Sequence, residues 1–170
     1  LRGYAKSNLY GNTSLILSAG INQALFSEME AFPCFYRNAV GGFDKKIVLK
    51  ISDFRSAEIQ GKFLARKGLE VSEYRIESGL NCGGHLFPAQ GELLPLILQE
   101  VVTNKEKLVC GFRDAVQKYY TTHGLDVKRL MPLMPKLTVQ GGIGNFGEAE
   151  RLLRDFGMDR CGWGSPFLLV

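Results

Sequence analysis

The chain has 170 residues, 45% of them hydrophobic and 22% charged, and a net charge of +4. That supplies one sizeable core for one domain over residues 1–170, and its basic residues are scattered among acidic ones rather than gathered into a stripe for nucleic acid. It shows neither an apolar span of membrane length nor a charged-then-apolar amino terminus, so we expect a cytoplasmic protein that meets neither nucleic acid nor membrane.

In chain order, "TSLILSAG" (13–20) reads as a buried strand closing on Gly20. "INQALFSEMEAF" (21–32) places Ala24, Leu25, Met29 and Phe32 at helical spacing before Pro33 stops it. "KKIVLKIS" (45–52) is a second strand, rich in β-branched residues. "SAEIQGKFLARKG" (56–68) predicts a helix with Ser56 as N-cap, Ile59, Phe63 and Leu64 as its buried stripe, and Gly68 just past its end.

"EVSEYRIES" (70–78) is the third strand, and "GELLPLILQEVV" (91–102) an apolar helix. "NKEKLVCGFRDAVQKYY" (104–120) repeats Leu108, Phe112, Val116 and Tyr119 at helical steps. "PKLTVQ" (135–140) is the fourth strand. "NFGEAERLLRDFG" (145–157) is a helix capped by Asn145, with Ala149, Leu152, Leu153 and Phe156 inward, and "MDRCGWG" (158–164) is a short fifth strand.

Strands alternating with helices indicate parallel βα units, in which ligand chemistry sits at the carboxyl ends of the strands. About five strands are countable, whereas a complete eightfold barrel takes about 250 residues. The expected fold is therefore α/β, a partial (β/α) barrel of TIM type. An open set of parallel strands would leave edges unpaired, so self-association, or pairing with the remainder of a barrel, is expected.

The strand ends are rich in glycine: "SAGIN", "ESGLNCGGH", "QGGIGN" and "GWGSPF". Glycine makes many βα turns, but "QGGIGN" runs straight into an N-capped helix. Free backbone N–H groups and a helix dipole would converge there on an anion, most naturally phosphate. "GGIG" and "GWGS" end neighbouring strands, the arrangement of a barrel phosphate site, and the dinucleotide order GxGxxG does not occur.

Cys34, Cys82, Cys110 and Cys161 lie far apart without a CxxC pair, so free thiols and no metal site are expected. Glu73, Arg75 and Glu77 alternate on one face of the third strand. They are either a buried, locally paired charge row or the solvated face of an edge strand. His85 follows a glycine pair just past a strand end, where a titratable base would meet a ligand. His123, in "TTHGLD", has no such context and reads as structural.

"KIVLKISDFRSAEIQGKFLARKGLEVSEYRIESGLNCGGH", followed by "LTVQGGIGNFGEAERLLRDFGMDRCGWGSPFL", resembles the nitronate monooxygenase (2-nitropropane dioxygenase) family of FMN-dependent barrels. The likeness covers roughly residues 45–100 and 135–168, the second half of such a barrel. The FMN barrel of glutamate synthase is similar in the last two loops but not in the histidine turn. The resemblance implies that His85 is a general base removing a proton beside a nitro group, and that Gly83 and Gly84 let the backbone pass close to the flavin. It implies that Gly141, Gly142, Gly144, Gly164 and Ser165 hold the FMN phosphate, with Gln140 beside them. Lys50 would face the same mouth and neutralise a reduced flavin or a substrate oxyanion. Where the family has a small apolar or acidic approach to the glycine pair, this chain has "ESGLNC", so Asn81 and Cys82 would line a different pocket.

The expected function is thus an FMN-dependent oxidoreductase, a monooxygenase acting on a small-molecule substrate. Two alternatives stay open: an isomerase or aldolase type barrel that binds a phosphorylated metabolite through the same loops, and a non-catalytic flavin-binding module.

Overall fold

The structure is a computed structural model that describes residues 1–9, 13–77, 93–130, 132–141 and 143–162. Strands β1 (Ser14–Leu17), β2 (Lys46–Ile51), β3 (Glu73–Glu77), β4 (Lys136–Gln140) and β5 (Arg160–Gly162) form one sheet. Every neighbouring pair is parallel, and the spatial order β1-β2-β3-β4-β5 is the order along the chain. The helices are α1 (Arg2–Lys6), α2 (Gln23–Met29), α3 (Phe54–Ala65), α4 (Leu93–Thr103), α5 (Lys105–Thr122) and α6 (Phe146–Arg154), with 3-10 turns at Pro33–Phe35 and Val127–Arg129.

Side chains alternate across a strand, so each strand contributes to two faces. Ile47, Leu49 and Ile51, Tyr74 and Ile76, and Leu137 and Val139 join one buried cluster with Ala57, Leu64, Leu108, Val116, Ala149 and Leu152 from the helices. At about 1.5–3 kcal/mol for each fully buried aliphatic or aromatic side chain, this face holds the sheet to its helices. The other face carries Lys50, Glu73, Arg75, Glu77, Lys136, Thr138, Gln140 and Arg160, with Ile16 and Val48 as apolar members on β1 and β2. The carboxyl ends of the strands, where that polar face meets the βα turns, are the place for ligand chemistry.

Helix α3 begins earlier than the sequence suggests, and Ser56 is not its N-cap. Asp53 takes that position. Its carboxylate accepts from the Ser56 amide at 2.6 Å, while the Ser56 hydroxyl accepts from the Asp53 amide at 3.3 Å. A carboxylate at the helix start also meets the positive end of the dipole, an advantage a hydroxyl lacks. Ile59, expected in the buried stripe, is 48% exposed. Leu64 is buried as expected and Phe63 packs against the core, and Ala57, Gly61 and Ala65 join them, residues small enough for a neighbouring helix to approach closely. A Cβ on Gly61 would stand 2.6 Å from Phe112 Cε2.

Leu153 is likewise exposed, leaving Ala149 and Leu152 as the buried residues of α6. In α5 the expected stripe holds, with Leu108, Phe112 and Val116 buried and Tyr120 added to them. Strand β3 pairs on both sides, with β2 and with β4, so the edge-strand reading of its charge row is wrong.

Asp159 ties the amino-terminal ends of β4 and β5. Its carboxylate accepts from the Leu137 amide at 2.7 Å and from Lys105 at 3.3 Å, and its own amide donates back to the Leu137 carbonyl. Burial alone would push this carboxyl up, but the Leu137 N–H and the Lys105 ammonium hold it below its ordinary value. A depressed folded pKa stabilises above the unfolded value near 3.9 and is lost as pH falls through the folded value. The melting-temperature gap between the wild type and Asp159→Asn should therefore be open at pH 6 and close below about pH 4. A gap independent of pH would remove the carboxylate from this role.

Among the described residues, no helix is long and apolar enough to cross a membrane. Cys34, Cys110 and Cys161 are free thiols, and no group of His, Cys, Asp and Glu side chains among the described residues is placed to hold a metal ion.

Candidate functional site

Three strand ends meet on the polar face. The register sets Lys50 beside Arg75 and Glu77 beside Gln140. Lys50 Nζ reaches Glu77 Oε2 at 2.9 Å, with both side chains mostly buried. One layer deeper, Arg75 donates to Glu73 at 2.7 Å, and Arg160 stands 3.9 Å from the other Glu73 oxygen. The charge row is thus locally paired, as charges in a partly buried layer must be. The ammonium of Lys50, expected to face this mouth, is offset by Glu77.

Thr138 lies in the same layer, with Arg75 and Arg160 as its register partners. It is 4% exposed, and its hydroxyl has no hydrogen-bond partner among the described residues. A buried polar group in that state is unusual and is satisfied by whatever enters the face, water or ligand. The sequence offers no signal for it, since a threonine in a strand is common.

Gln140 ends β4, and its side chain lies across the bare Cα of Gly162 on β5, where a Cβ would stand 3.1 Å from Gln140 Cγ. Gly141 adopts the left-handed region at φ 84°, a conformation that turns the chain out of the sheet and favours glycine. Its N–H is not free, because it donates to the Gly162 carbonyl at 3.1 Å.

The start of α6 is similarly engaged. Asn145 caps the helix by accepting from the Glu148 amide at 3.0 Å, and Asn145 Nδ2 donates to Glu148 Oε1 at 2.8 Å. Glu148 Oε2 in turn accepts from the Gly144 amide at 2.8 Å. The convergence of free amides expected at "QGGIGN" is therefore corrected for Gly141 and Gly144, since both N–H groups have partners. The partner at Gly144, however, is an anionic oxygen. Glu148 was legible as the last residue of an Asn-x-x-Glu capping pattern.

His85, Gly83, Gly84, Asn81, Cys82, Gly142, Gly164 and Ser165 lie outside the described residues. His123 is exposed at the end of α5, with its ring stacked on Tyr119 at 3.9 Å and Nδ1 held at the Tyr119 carbonyl, a structural placement. Of the site residues read from the sequence, the structure gathers Lys50, Gln140, Gly141 and Gly144 at the carboxyl ends of neighbouring strands. It adds Glu77, Thr138, Glu148 and Gly162.

Comparison with protein-family models, with curated proteins and with solved structures yields no match. The class that fold and site define is a parallel α/β protein with a charged, glycine-bordered layer at its strand ends.

Proposed function

We propose that the chain acts as an FMN-dependent oxidoreductase with the winding of a (β/α) barrel, binding the flavin phosphate at the start of α6. Support for the winding comes from the strand order. A doubly wound sheet reverses order at a switch point, whereas a barrel adds each strand beside the last with right-handed crossovers. The observation that carries the phosphate reading is the Gly144 amide, which points to an anionic oxygen at the carboxyl end of β4. In this reading the Glu148 carboxylate stands where a phosphate oxygen would bind, and it swings aside when phosphate arrives.

FMN, when bound, supplies the electron acceptor that no side chain provides. The chain's own residues bind and orient. Gly144, with Gly142, Gly164 and Ser165 from the sequence reading, takes the phosphate. Gln140 borders the ring-side approach, and the Lys50–Glu77 pair places a neutralised ammonium at the mouth. His85 is the base in this reading, on the strength of its sequence context and of the nitronate monooxygenase resemblance.

The test is the spectrum of the purified chain reconstituted with FMN. Bound flavin that is bleached anaerobically by a primary nitroalkane is the expected result. Bound flavin without bleaching would leave a binding module, and a chain that takes phosphorylated sugars but no flavin would indicate an isomerase or aldolase type enzyme.

Glu148→Ala gives a second prediction. It frees the Gly144 N–H and removes a charge that repels phosphate at contact distance, where the repulsion is on the order of 1 kcal/mol in a solvated site. FMN should bind several-fold to about tenfold more tightly in a fluorescence titration. Unchanged or weaker binding would move the phosphate away from α6.

A further inference from the structure

On the helix side of the sheet, between α3, α5 and Leu130, Pro132, Leu133 and Pro135, lies a cavity of about 220 Å³. Leu69, Val71, Leu108, Phe112, Val116 and Leu130 make its walls largely apolar. Tyr74 enters it from β3 and is 1% exposed. The Tyr74 hydroxyl lies against the bare Cα of Gly61, where a Cβ would come within 2.6 Å of the oxygen, and Gly61 and Phe112 both line the cavity. Tyr74 Oη makes no hydrogen bond to any described residue, and burial acts on the phenol without an offsetting partner.

Buried tyrosine hydroxyls ordinarily find a partner, because leaving one unpaired is costly. An apolar cavity that presents a hydroxyl without a hydrogen-bond partner among the described residues has the makings of a ligand site: mostly apolar walls and one polar group to fix orientation. The charges at its border do not change that character. Glu70 accepts from Arg37 Nε and Nη2, at 2.7 and 2.8 Å, and Arg113 is exposed to solvent.

We propose that this cavity binds a small, neutral, apolar molecule carrying one hydrogen-bond acceptor, a ketone or ether oxygen, which takes the Tyr74 hydroxyl proton in a hydrogen bond. An apolar cavity of about 150 Å³ accepts benzene, so this one accommodates roughly nine to eleven heavy atoms. The site is separate from the strand-end layer. Tyr74 and Ile76 face the helices, whereas Glu73, Arg75 and Glu77 face the other way, so the inference does not depend on flavin.

The test compares 1-tetralone with tetralin, a pair of nearly equal shape that differs by the carbonyl, titrated into the whole chain by calorimetry and ligand-observed NMR. The ketone should bind saturably, and about threefold to tenfold more tightly than the hydrocarbon, the net worth of one hydrogen bond. Tyr74→Phe should erase that preference. It should also leave the melting temperature of the free protein unchanged or higher, since it removes an unpaired buried hydroxyl. Val109→Phe, which narrows the cavity from α5 without touching the hydroxyl, should weaken both ligands. The proposal is overturned if the ketone fails to saturate at millimolar concentration, or if ketone and hydrocarbon bind equally. It is also overturned if Tyr74→Phe destabilises the free protein, or if Val109→Phe changes neither affinity.

Discussion

His85→Ala is expected to retain FMN while slowing flavin reduction by a nitroalkane by about two to four orders of magnitude, the usual contribution of a positioned base. The argument is chemical. An imidazole with an ordinary pKa near 6.5 is half in its basic form close to neutral pH, and the glycine pair before it removes the Cβ atoms that would keep a ligand at a distance. His123→Ala is the control, because that ring is committed to Tyr119 on the far end of α5. Anaerobic stopped-flow reduction separates the two variants. A His85 variant that reduces flavin at the wild-type rate would leave the histidine without a chemical role.

Gly68→Val is expected to cost the most stability of any single change considered for this fold. Gly68 ends α3 at φ 69°, in the left-handed region that charges a side chain about 1–2 kcal/mol. A Cβ there would also stand 2.3 Å from Tyr119 Cδ1. That ring cannot retreat freely, being stacked on Tyr36 at 5.9 Å between centroids and hydrogen-bonded to its hydroxyl at 3.0 Å. Strain and clash together should reach roughly 3–5 kcal/mol, the upper range for single substitutions. For a chain of this length that lowers the melting temperature by about 6–20 °C. Gly157→Ala isolates the conformational part, for Gly157 also has a positive φ of 64° but nothing lies within 4 Å of its added Cβ. It should cost about 1–2 kcal/mol. Equal losses at the two glycines would rule out the packing account of Gly68.

Gly68 also illustrates what the sequence makes legible. A glycine after an amphipathic run announces a left-handed helix end, and the structure has it. The alternation of five strand-like runs with helices led to an all-parallel sheet for the same reason: periodicity is a local property of the chain. What depends on contact was less visible. Ile59 looks like core by hydrophobicity, yet α3 buries Ala57, Gly61 and Ala65 with Leu64, and only the partner helix decides that. The charge row of β3 left two readings open, because strand position in a sheet is set by pairing and not by composition.

The strand-end site divides along the same line. Lys50, Gln140, Gly141 and Gly144 were readable as strand-end residues. The Lys50–Glu77 bond, the orphaned Thr138 hydroxyl and the occupation of the Gly144 amide by Glu148 were not, since each depends on where a neighbouring strand or turn places an atom. The Tyr74 cavity was invisible for a similar reason. In the sequence Tyr74 is one more aromatic residue in a strand.

The central claim, a phosphate held at the start of α6, is tested most directly by comparing FMN with riboflavin in parallel fluorescence titrations of the same protein. The two share the ring and differ by the phosphate, so their affinity ratio reports the phosphate contacts alone, however strongly the ring itself is held. Charge-assisted hydrogen bonds are worth about 1.5–3 kcal/mol each, which predicts FMN binding at least tenfold more tightly than riboflavin. Equal affinities, or no binding of either, would contradict the account.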